Sequence, residues 1–212
     1  MKNTARFILL AALLVCWGCE KEKPPVAAKS EAAPVPQAES KTETVKNPDP
    51  VAGGSSEVTF GKKTLYKAVM PKGWKEEDPE NKMRLFQAAV PKVGEDKEDA
   101  QLVIFKMSGA GGAEETLKRW QTNQWGGQDS MEERREVKTK AGAEATLAVF
   151  SGTYTAMDFA PDKKEPRENF MMLGGILPTV EGTFYIRLIG PRATVEAQRE
   201  AFESMVKSLE KK

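Results

Sequence analysis

The amino-acid sequence predicts a layered α/β domain of the α+β type, in which helices pack on the faces of a mostly antiparallel sheet of roughly six or seven strands. Apolar segments with strand character recur along the chain, and two other segments show helical periodicity. Short turns that are charged or contain glycine join successive strands, which favours antiparallel pairing. Residues 58–212 are enough for one such domain with its own core.

Three strands and a helix are predicted in the first half of this domain. The helix follows the break Ser108-Gly109-Ala110-Gly111-Gly112 and ends before Gly126-Gly127. Leu117, Trp120 and Trp125 share one broad face of the helix, and this face is predicted to lie on the sheet. The predicted ranges are 65–70, 83–90 and 100–107 for the strands and 113–125 for the helix.

Two strand pairs and a final helix are predicted in the second half. A turn at Lys140-Ala141-Gly142 joins the first pair, and Gly174-Gly175 in the second pair indicates a bulge or close packing. Thr194 is the predicted N-cap of the helix. The predicted strands are 131–139, 145–155, 169–177 and 183–189, and the buried stripe of the helix is Val195, Phe202, Met205, Val206 and Leu209.

The first 18 residues are typical of a bacterial lipoprotein signal peptide. Lys2 and Arg6 precede an apolar run over residues 7–18. As a helix this run reaches about 18 Å, which is too short for a bilayer core of about 30 Å. The segment therefore predicts a cleaved signal and an extracytoplasmic destination.

Lipid attachment is predicted at Cys19, directly after the small residue Gly18. Its thiol would take a diacylglyceryl group, and the mature protein would carry acyl chains such as palmitate. Cys16 and Trp17 depart from the usual pattern before a lipidated cysteine, where Leu and a small residue are common. The alternatives are an uncleaved signal anchor and an ordinary secretory cleavage near Gly18.

Residues 19–57 are predicted to form the lipidated cysteine and a disordered tether. From residue 20 to 57 the chain holds six prolines, scattered lysines and glutamates, and no aromatic residue. Such a composition buries too little apolar surface to offset the entropy of ordering. A flexible chain of this length spans roughly 35 Å, which lets a domain stand clear of lipid headgroups.

Cysteine content and charge exclude several classes of function. Cys16 and Cys19 are the only cysteines, so a mature protein lipidated at Cys19 has no thiol for a disulfide, a redox reaction or zinc. Loss of Lys2 and Arg6 with the signal changes the formal charge from +1 to −1. A nearly neutral protein gives no broad electrostatic basis for binding nucleic acid.

Three motifs together resemble the PsbP-like α/β/α sandwich. They are Pro71-Lys72-Gly73-Trp74 after a strand, Arg119-Trp120 with Gln124-Trp125 on the helix, and the C-terminal run from Phe202 to Leu209. The resemblance covers nearly all of residues 58–212. It implies this fold and a noncatalytic role in binding or assembly. Members of this family include the extrinsic PsbP protein of photosystem II and a Ran-binding nuclear transport factor. This sequence shows neither a metal-binding motif nor a Ran-binding motif that would extend such a role to it. The N-terminal leader points to a bacterial relative.

The absence of histidine removes Ser-His-Asp triads, histidine-ligated metals and the usual proton shuttle. No catalytic residue, metal site or cofactor is predicted. The glycine-rich segment before the first helix is interpreted as a turn, since Glu114 and Glu115 would repel a phosphate there. Two acidic loops lack the spacing of a calcium loop and are interpreted as solvated. Their acidic residues are Glu95, Asp96, Glu98 and Asp99 in one loop and Asp158, Asp162 and Glu165 in the other.

Trp74, Trp120 and Trp125 are the candidate residues of a ligand groove, because exposed indole rings can stack on a ligand. Their positions at a strand end and on a helix face also suit the core. We therefore expect a lipid-anchored cell-envelope protein that acts as a noncatalytic binding or assembly module. Its partners would be the membrane, through the lipid, and an envelope protein. The alternatives are an enzyme with a carboxylate-based site and a passive structural component of the envelope.

Overall fold

The computed structural model describes residues 56–61, 65–109, 111–156 and 165–212. The predicted signal, Cys19 and nearly all of the predicted tether lie outside these ranges. The described ranges contain ten strands and three α-helices. The strands are β1 (Ser56–Phe60), β2 (Tyr66–Met70), β3 (Lys75–Glu77), β4 (Arg84–Val90), β5 (Ala100–Met107), β6 (Met131–Lys138), β7 (Glu144–Tyr154), β8 (Arg167–Thr179), β9 (Gly182–Pro191) and β10 (Glu210–Lys211), and the helices are α1 (Ala113–Gln124), α2 (Arg192–Ala197) and α3 (Arg199–Lys207), with a 3-10 helix at Gln128–Ser130.

Seven strands form one antiparallel sheet in the order β3-β4-β5-β9-β8-β7-β6. This arrangement confirms the predicted sheet and its antiparallel pairing. The strands that follow one another in the chain pair through tight turns, including β6 with β7 around Lys140-Ala141-Gly142. β5 instead pairs with β9, so α1 and the β6–β7–β8 strands are inserted between two neighbours of the sheet.

A second sheet of three strands, in the order β1-β2-β10, was not predicted. Ser56 and Glu57, which the sequence assigned to the tether, are the first residues of β1. β3 has three exposed residues and β10 has two residues, so neither is long enough to show an apolar alternation. These strands form through pairing with partners rather than through their own composition.

The large sheet separates two layers, as the predicted sandwich requires. Alternate residues of its central strands, such as Ile104 and Ile186, join the small sheet, α2 and α3 in one core. The intervening residues, such as Met172 and Tyr185, pack with α1 on the opposite face. Phe184 illustrates the first layer, because its ring lies 4.8 Å from that of Tyr66 between centroids. The layered α/β fold class is therefore confirmed.

The C-terminal segment differs from the prediction in how its helix begins. Pro191 occupies the N-cap of α2, and Gln198 separates α2 from α3. Thr194 lies inside α2 with its side chain buried, and its hydroxyl donates to Asp96 Oδ2 at 2.6 Å. A threonine hydroxyl that finds a tertiary acceptor does not need to cap the helix. The predicted apolar stripe is confirmed, since Val195, Phe202, Met205, Val206 and Leu209 are all buried.

None of the helices in the described ranges combines the length and the apolar composition that a membrane span requires.

Candidate functional site

The three tryptophans of the predicted groove occupy two different layers. Trp74 belongs to the core on the α2 and α3 side, where its Nε1 donates to Gln198 Oε1 at 3.1 Å. Trp120 and Trp125 belong to the core beneath α1. All three side chains are buried. The structure therefore brings Trp120 and Trp125 together and places Trp74 on the other face of the sheet, so the three do not line one groove.

In the acidic loop before β5, three of the four carboxylates form hydrogen bonds or ion pairs with other residues of the protein. Asp96 accepts hydrogen bonds from the backbone N–H and the hydroxyl of Thr194, and Asp99 accepts one from the backbone of Lys92. Glu98 forms an ion pair with Arg167 at 3.1 Å. Within the described ranges no three Asp, Glu, Cys or His side chains form a cluster suited to a metal ion. Glu95 and Glu165 are exposed, and Asp158 and Asp162 lie outside the described residues.

In the glycine-rich turn before α1, the space next to the helix start is filled by the side chain of Glu115, which belongs to α1. Gly109 and Gly111 adopt positive φ, as a turn that launches a helix requires. A Cβ built on Gly112 would lie 3.0 Å from Glu115 Oε2, so this carboxylate occupies the space beside the helix start. The position of Glu115 favours the turn interpretation over an anion site. Ala110 lies outside the described residues.

A different site emerges on the α1 face of the sheet, around Arg187 of β9. The Arg187 guanidinium carbon lies 4.9 Å from the ring centroid of Phe105 in β5 and 5.8 Å from that of Trp120 in α1. The two rings hold the guanidinium by cation–π contact. Arg187 Nη1 donates to Gln124 Oε1 at 3.1 Å at the end of α1. The charge is thus fixed between a sheet and a helix, although the residue keeps a partly exposed surface.

Three buried N–H groups of this cluster have no hydrogen-bond partner among the described residues: Arg187 Nε, Gln124 Nε2 and Trp125 Nε1. Arginine and the indole nitrogen can only donate, so Gln124 must turn its oxygen to Arg187, which leaves its amide N–H₂ without an acceptor. Gln124 and Trp125 are 1% and 3% exposed, so water does not readily replace the missing partners. Each unsatisfied buried donor costs about 1–3 kcal/mol.

The electrostatics of the cluster show the same lack of acceptors. Burial lowers the pKa of the Arg187 guanidinium, the nearby charge of Arg84 lowers it further, and Tyr154 raises it. Within the described ranges no carboxylate forms an ion pair with Arg187. An arginine stays protonated even so, because its ordinary pKa lies far above neutral pH. The site therefore holds a partly buried positive charge without a carboxylate partner among the described residues, which is unfavourable in the protein alone.

The polar residues on the neighbouring strands are already engaged with one another. Arg84 Nη1 donates to Gln87 Oε1 at 2.5 Å and to Gln101 Oε1 at 3.0 Å, while its Nη2 pairs with Glu80 at 3.1 Å. Gln87 in turn donates to Glu77 at 2.9 Å. These acceptors belong to a network on β3, β4 and β5. The deficit of acceptors is therefore confined to Arg187, Gln124 and Trp125, which we call the donor cluster.

Aromatic rings form the surroundings of the donor cluster. The Trp125 ring lies 5.1 Å from Tyr154 and 6.3 Å from Phe150 between centroids. Tyr154 stacks in turn on Phe170 at 6.1 Å. Tyr154 is partly exposed, so the aromatic wall reaches the surface of the protein.

The sequence contains one signal for this site. Arg187 is the one charged residue of β9, between Tyr185-Ile186 and Leu188-Ile189. A charge inside an apolar strand that is buried on both faces indicates either a salt bridge or a ligand. Gln124 lies four positions after Trp120 and so shares its helix face. Their meeting across the fold is a tertiary feature that spacing does not show.

No protein-family model matches the sequence. No curated protein matches it. A solved structure of a Pseudomonas aeruginosa protein of unknown function, PA94, is similar with a TM-score of 0.45 and 15% identity, over 73% of this chain and 95% of that one. The solution structure of cyanobacterial PsbP, CyanoP, from Synechocystis sp. PCC 6803 is similar with a TM-score of 0.42 and 10% identity, over 75% and 94%.

The second solved structure is a PsbP protein, the family that the sequence resembles. Neither likeness assigns a residue role or a function to this chain.

Proposed function

We propose that the protein is a lipid-anchored component of the bacterial cell envelope that acts outside the cytoplasm as a noncatalytic binding module. The N-terminal pattern of Lys2, Arg6, a short apolar run and Gly18-Cys19 supports the location. The donor cluster supports the binding role. In this proposal the cluster holds an anionic group of a ligand or of an envelope partner.

One observation carries the binding role: three buried N–H groups, one of them on Arg187, have no acceptor among the described residues, and Arg187 has no carboxylate partner there. Native proteins satisfy nearly all such groups, so these three call for an acceptor from outside the described residues, such as ordered water or an anion. An anion would supply both the negative charge and the lone pairs. Its hydrogen bonds would be charge-assisted and therefore stronger than neutral ones.

The chemistry of the cluster favours binding over catalysis. Arginine, glutamine and tryptophan side chains do not exchange protons near neutral pH, so the cluster offers neither a general base nor a nucleophile. The cluster can orient and hold an anion but cannot activate it.

The binding role is tested by titrating the purified full chain with acetate, phosphate and sulfate while following tryptophan fluorescence and thermal unfolding. Trp120 and Trp125 lie in or beside the cluster, so occupancy should change their emission. At least one anion should raise the melting temperature of the wild type and leave Arg187→Gln unaffected. Arg134→Gln is the matched control, because Arg134 is exposed and paired with Glu114.

Two results would contradict the binding role. One is that none of the three anions changes either readout. The other is that Arg187→Gln and Arg134→Gln respond to anions as the wild type does. Loss of a structural arginine should also destabilise the protein, whereas removal of an uncompensated charge should be neutral or stabilising. The unfolding curves of the ligand-free variants therefore separate a binding role from a purely structural one.

A further inference from the structure

We infer that one end of the large sheet rests on the surface of the membrane that holds the protein; this inference rests on the lipid anchor of the proposed function. The contact is made by four exposed apolar side chains, and its partner is a lipid bilayer. We call this region the apolar end, and its residues are Leu65, Met83, Met107 and Val180.

Three of these side chains lie where strands of the large sheet begin or end. Val180 is in the turn that joins β8 to β9. Met107, the last residue of β5, pairs with Thr183 close to that turn. Met83 directly precedes β4, whose first residue, Arg84, pairs with β5 near the same end. Val180, Met107 and Met83 therefore lie along the same end of the sheet.

The small sheet contributes Leu65 to this end. Leu65 directly precedes Tyr66 of β2, whose ring centroid lies 4.8 Å from that of Phe184 near the start of β9. Lys106 Nζ lies 5.6 Å from the centroid of the Phe184 ring and lines one surface pocket with Met83. The apolar end therefore continues from the large sheet to the small one.

Exposed apolar residues are concentrated at this end rather than scattered over the protein. Within the described ranges five large apolar residues are exposed, and four of them form the apolar end. The fifth, Val69, lies on the outer face of the small sheet, because its neighbours Ala68 and Met70 belong to the core. Single exposed apolar residues are normal, whereas a concentration of them in one place indicates an interaction surface.

The turn around Val180 shows that the fold itself does not require this exposure. Val180 is 99% exposed, and Thr179 and Gly182 hold the turn without it. The Thr179 hydroxyl donates to the Gly182 carbonyl at 2.6 Å and accepts from the backbone N–H of Glu181 at 3.3 Å. Hairpin turns of two residues usually carry Gly, Asn or Asp. A fully exposed valine is unfavourable in water and favourable at the boundary between lipid headgroups and acyl chains.

The length of the chain before β1 brings the apolar end within reach of a bilayer. Residues 20–55 join the predicted lipid at Cys19 to Ser56, and a flexible chain of this length spans roughly 35 Å. Ser56 begins β1 and Phe60 ends it beside Tyr66, so Ser56 lies about 13 Å along the strand from the apolar end. The tether is long enough to cover this distance. Because the anchor keeps the domain near the bilayer, a contact that is weak by itself is sufficient.

The charges at the two ends of the large sheet favour the same orientation. At the apolar end Lys82 and Lys211 are exposed and form no ion pair with another described residue. Glu181 at this end is paired with Lys106 at 3.4 Å. The loop over residues 91–99 at the opposite end has four carboxylates and two lysines. Anionic lipid headgroups attract lysines and repel carboxylates, so they favour the apolar end.

The first test measures the position of Val180 relative to lipid, on the lipidated protein reconstituted into vesicles of phosphatidylethanolamine and phosphatidylglycerol. A mature protein lipidated at Cys19 has no free thiol, so Val180→Cys provides a single site for a nitrobenzoxadiazole label. Val69→Cys is the matched control, because it makes the same exchange at the exposed valine outside the apolar end. Nitroxide-bearing lipids should quench the label at position 180 about threefold or more strongly than the label at position 69.

The native methionines provide a second measurement that needs no label. Chloramine-T in the aqueous phase oxidises exposed methionine to sulfoxide, and Met83 and Met107 should react about threefold or more slowly in the vesicle-anchored protein than in the Cys19→Ser protein in solution. Met131 begins β6 at the opposite end of the sheet, so its rate should be the same in both. In the anchored protein Val180→Asp should raise the oxidation rates of Met83 and Met107, whereas Val69→Asp should leave them unchanged.

Three results would overturn the inference, and they differ in what they leave standing. A wild type that floats with the vesicles while both labels stay in water and both methionines react at the solution rate overturns the membrane contact and leaves the lipid anchor intact. A wild type that does not float with the vesicles overturns both. Shielding of position 180 in envelope membranes from cells, but not in vesicles of lipid alone, assigns the apolar end to a protein partner instead.

Discussion

A single missing side chain, at Gly174 of β8, lets α1 approach the sheet closely. A Cβ built on Gly174 would lie 2.7 Å from Trp120 Cζ3, well inside van der Waals contact. Trp120 in turn flanks the Arg187 guanidinium. The close packing predicted for Gly174-Gly175 is therefore found at Gly174. It fixes the position of the Trp120 ring, which lies beside Arg187 of the donor cluster.

Gly174→Ala should lower the free energy of unfolding by about 1–3 kcal/mol, because the rigid indole ring of Trp120 has to move away from the new methyl group. Gly175→Ala is the matched control, since a Cβ there would meet its nearest atoms at 3.5 Å, an ordinary contact. Urea denaturation of both variants provides the measurement. Equal stabilities of the two variants would show that Trp120 does not pack on Gly174 as described.

At the residue scale, the sequence identifies residues of the core but does not identify the donor cluster. Periodicity predicts that Leu117 and Trp120 face the sheet, because the apolar face of a helix can be recognised from its own sequence. The cluster depends on Arg187 meeting Gln124, which lies 63 positions away along the chain. Which N–H groups remain unpartnered follows from the folded packing, so no local pattern contains it.

At the scale of elements, α3 is held to the sheet by its apolar stripe. Phe202 is 2% exposed and packs in the same core as Met205, Val206 and Leu209. The periodicity that predicted this stripe is strong because four large side chains recur at helical spacing. Strands β1, β3 and β10 show the opposite case, in which partners on other strands decide the structure of short or polar segments.

Phe202→Ala should cost about 3–5 kcal/mol, which is the usual loss when a buried phenylalanine is truncated and leaves a cavity. Glu200→Ala on the exposed side of α3 is the control and should change the stability by less than about 0.5 kcal/mol. Chemical denaturation measures both. A loss below about 1 kcal/mol for Phe202→Ala would mean that α3 contributes little to the core.

Ion pairs connect the exposed side of α3 to β6 and to its own last turn. Glu203 Oε1 accepts from Lys207 at 2.6 Å, and Oε2 accepts from Arg135 at 2.5 Å. The hydrogen bond from Lys207 and then that from Arg135 lower the pKa of the Glu203 carboxyl. The folded state therefore favours the ionised form, and the ion pairs stabilise the protein wherever Glu203 is charged.

The lowered pKa of Glu203 determines how the stability of the folded protein changes with pH. Stabilisation by Glu203 should be complete above its unfolded pKa of about 4.3 and should be lost as the pH falls through the lower folded-state pKa. Glu203→Gln should then be less stable than the wild type at pH 7, by less than about 1 kcal/mol because the pairs are near solvent. The difference should shrink toward pH 3. Urea denaturation at both pH values tests this, and a difference that grows in acid would contradict it.

At the scale of the whole molecule, the predicted anchor and the donor cluster are separate features. The donor cluster is built from Arg187 of β9, the last residue of α1 and the residue that follows α1, all within the described residues. The predicted anchor, Cys19, lies outside them and rests on the sequence pattern alone. A substitution at Cys19 should therefore affect membrane attachment without affecting anion binding, and a substitution at Arg187 should do the reverse.

Cys19→Ser should release the protein from the membrane fraction, because the serine hydroxyl cannot take the thioether-linked lipid. The measurement is ultracentrifugal fractionation of cells with an immunoblot, together with the intact mass of the membrane-bound wild type. Cys16→Ser is the matched control and should stay with the membrane, since the predicted acceptor remains. A membrane-bound wild type with an unmodified Cys19 would contradict lipid attachment. The released Cys19→Ser protein should still respond to anions as the wild type does, because the anchor contributes no donor to the Arg187 cluster.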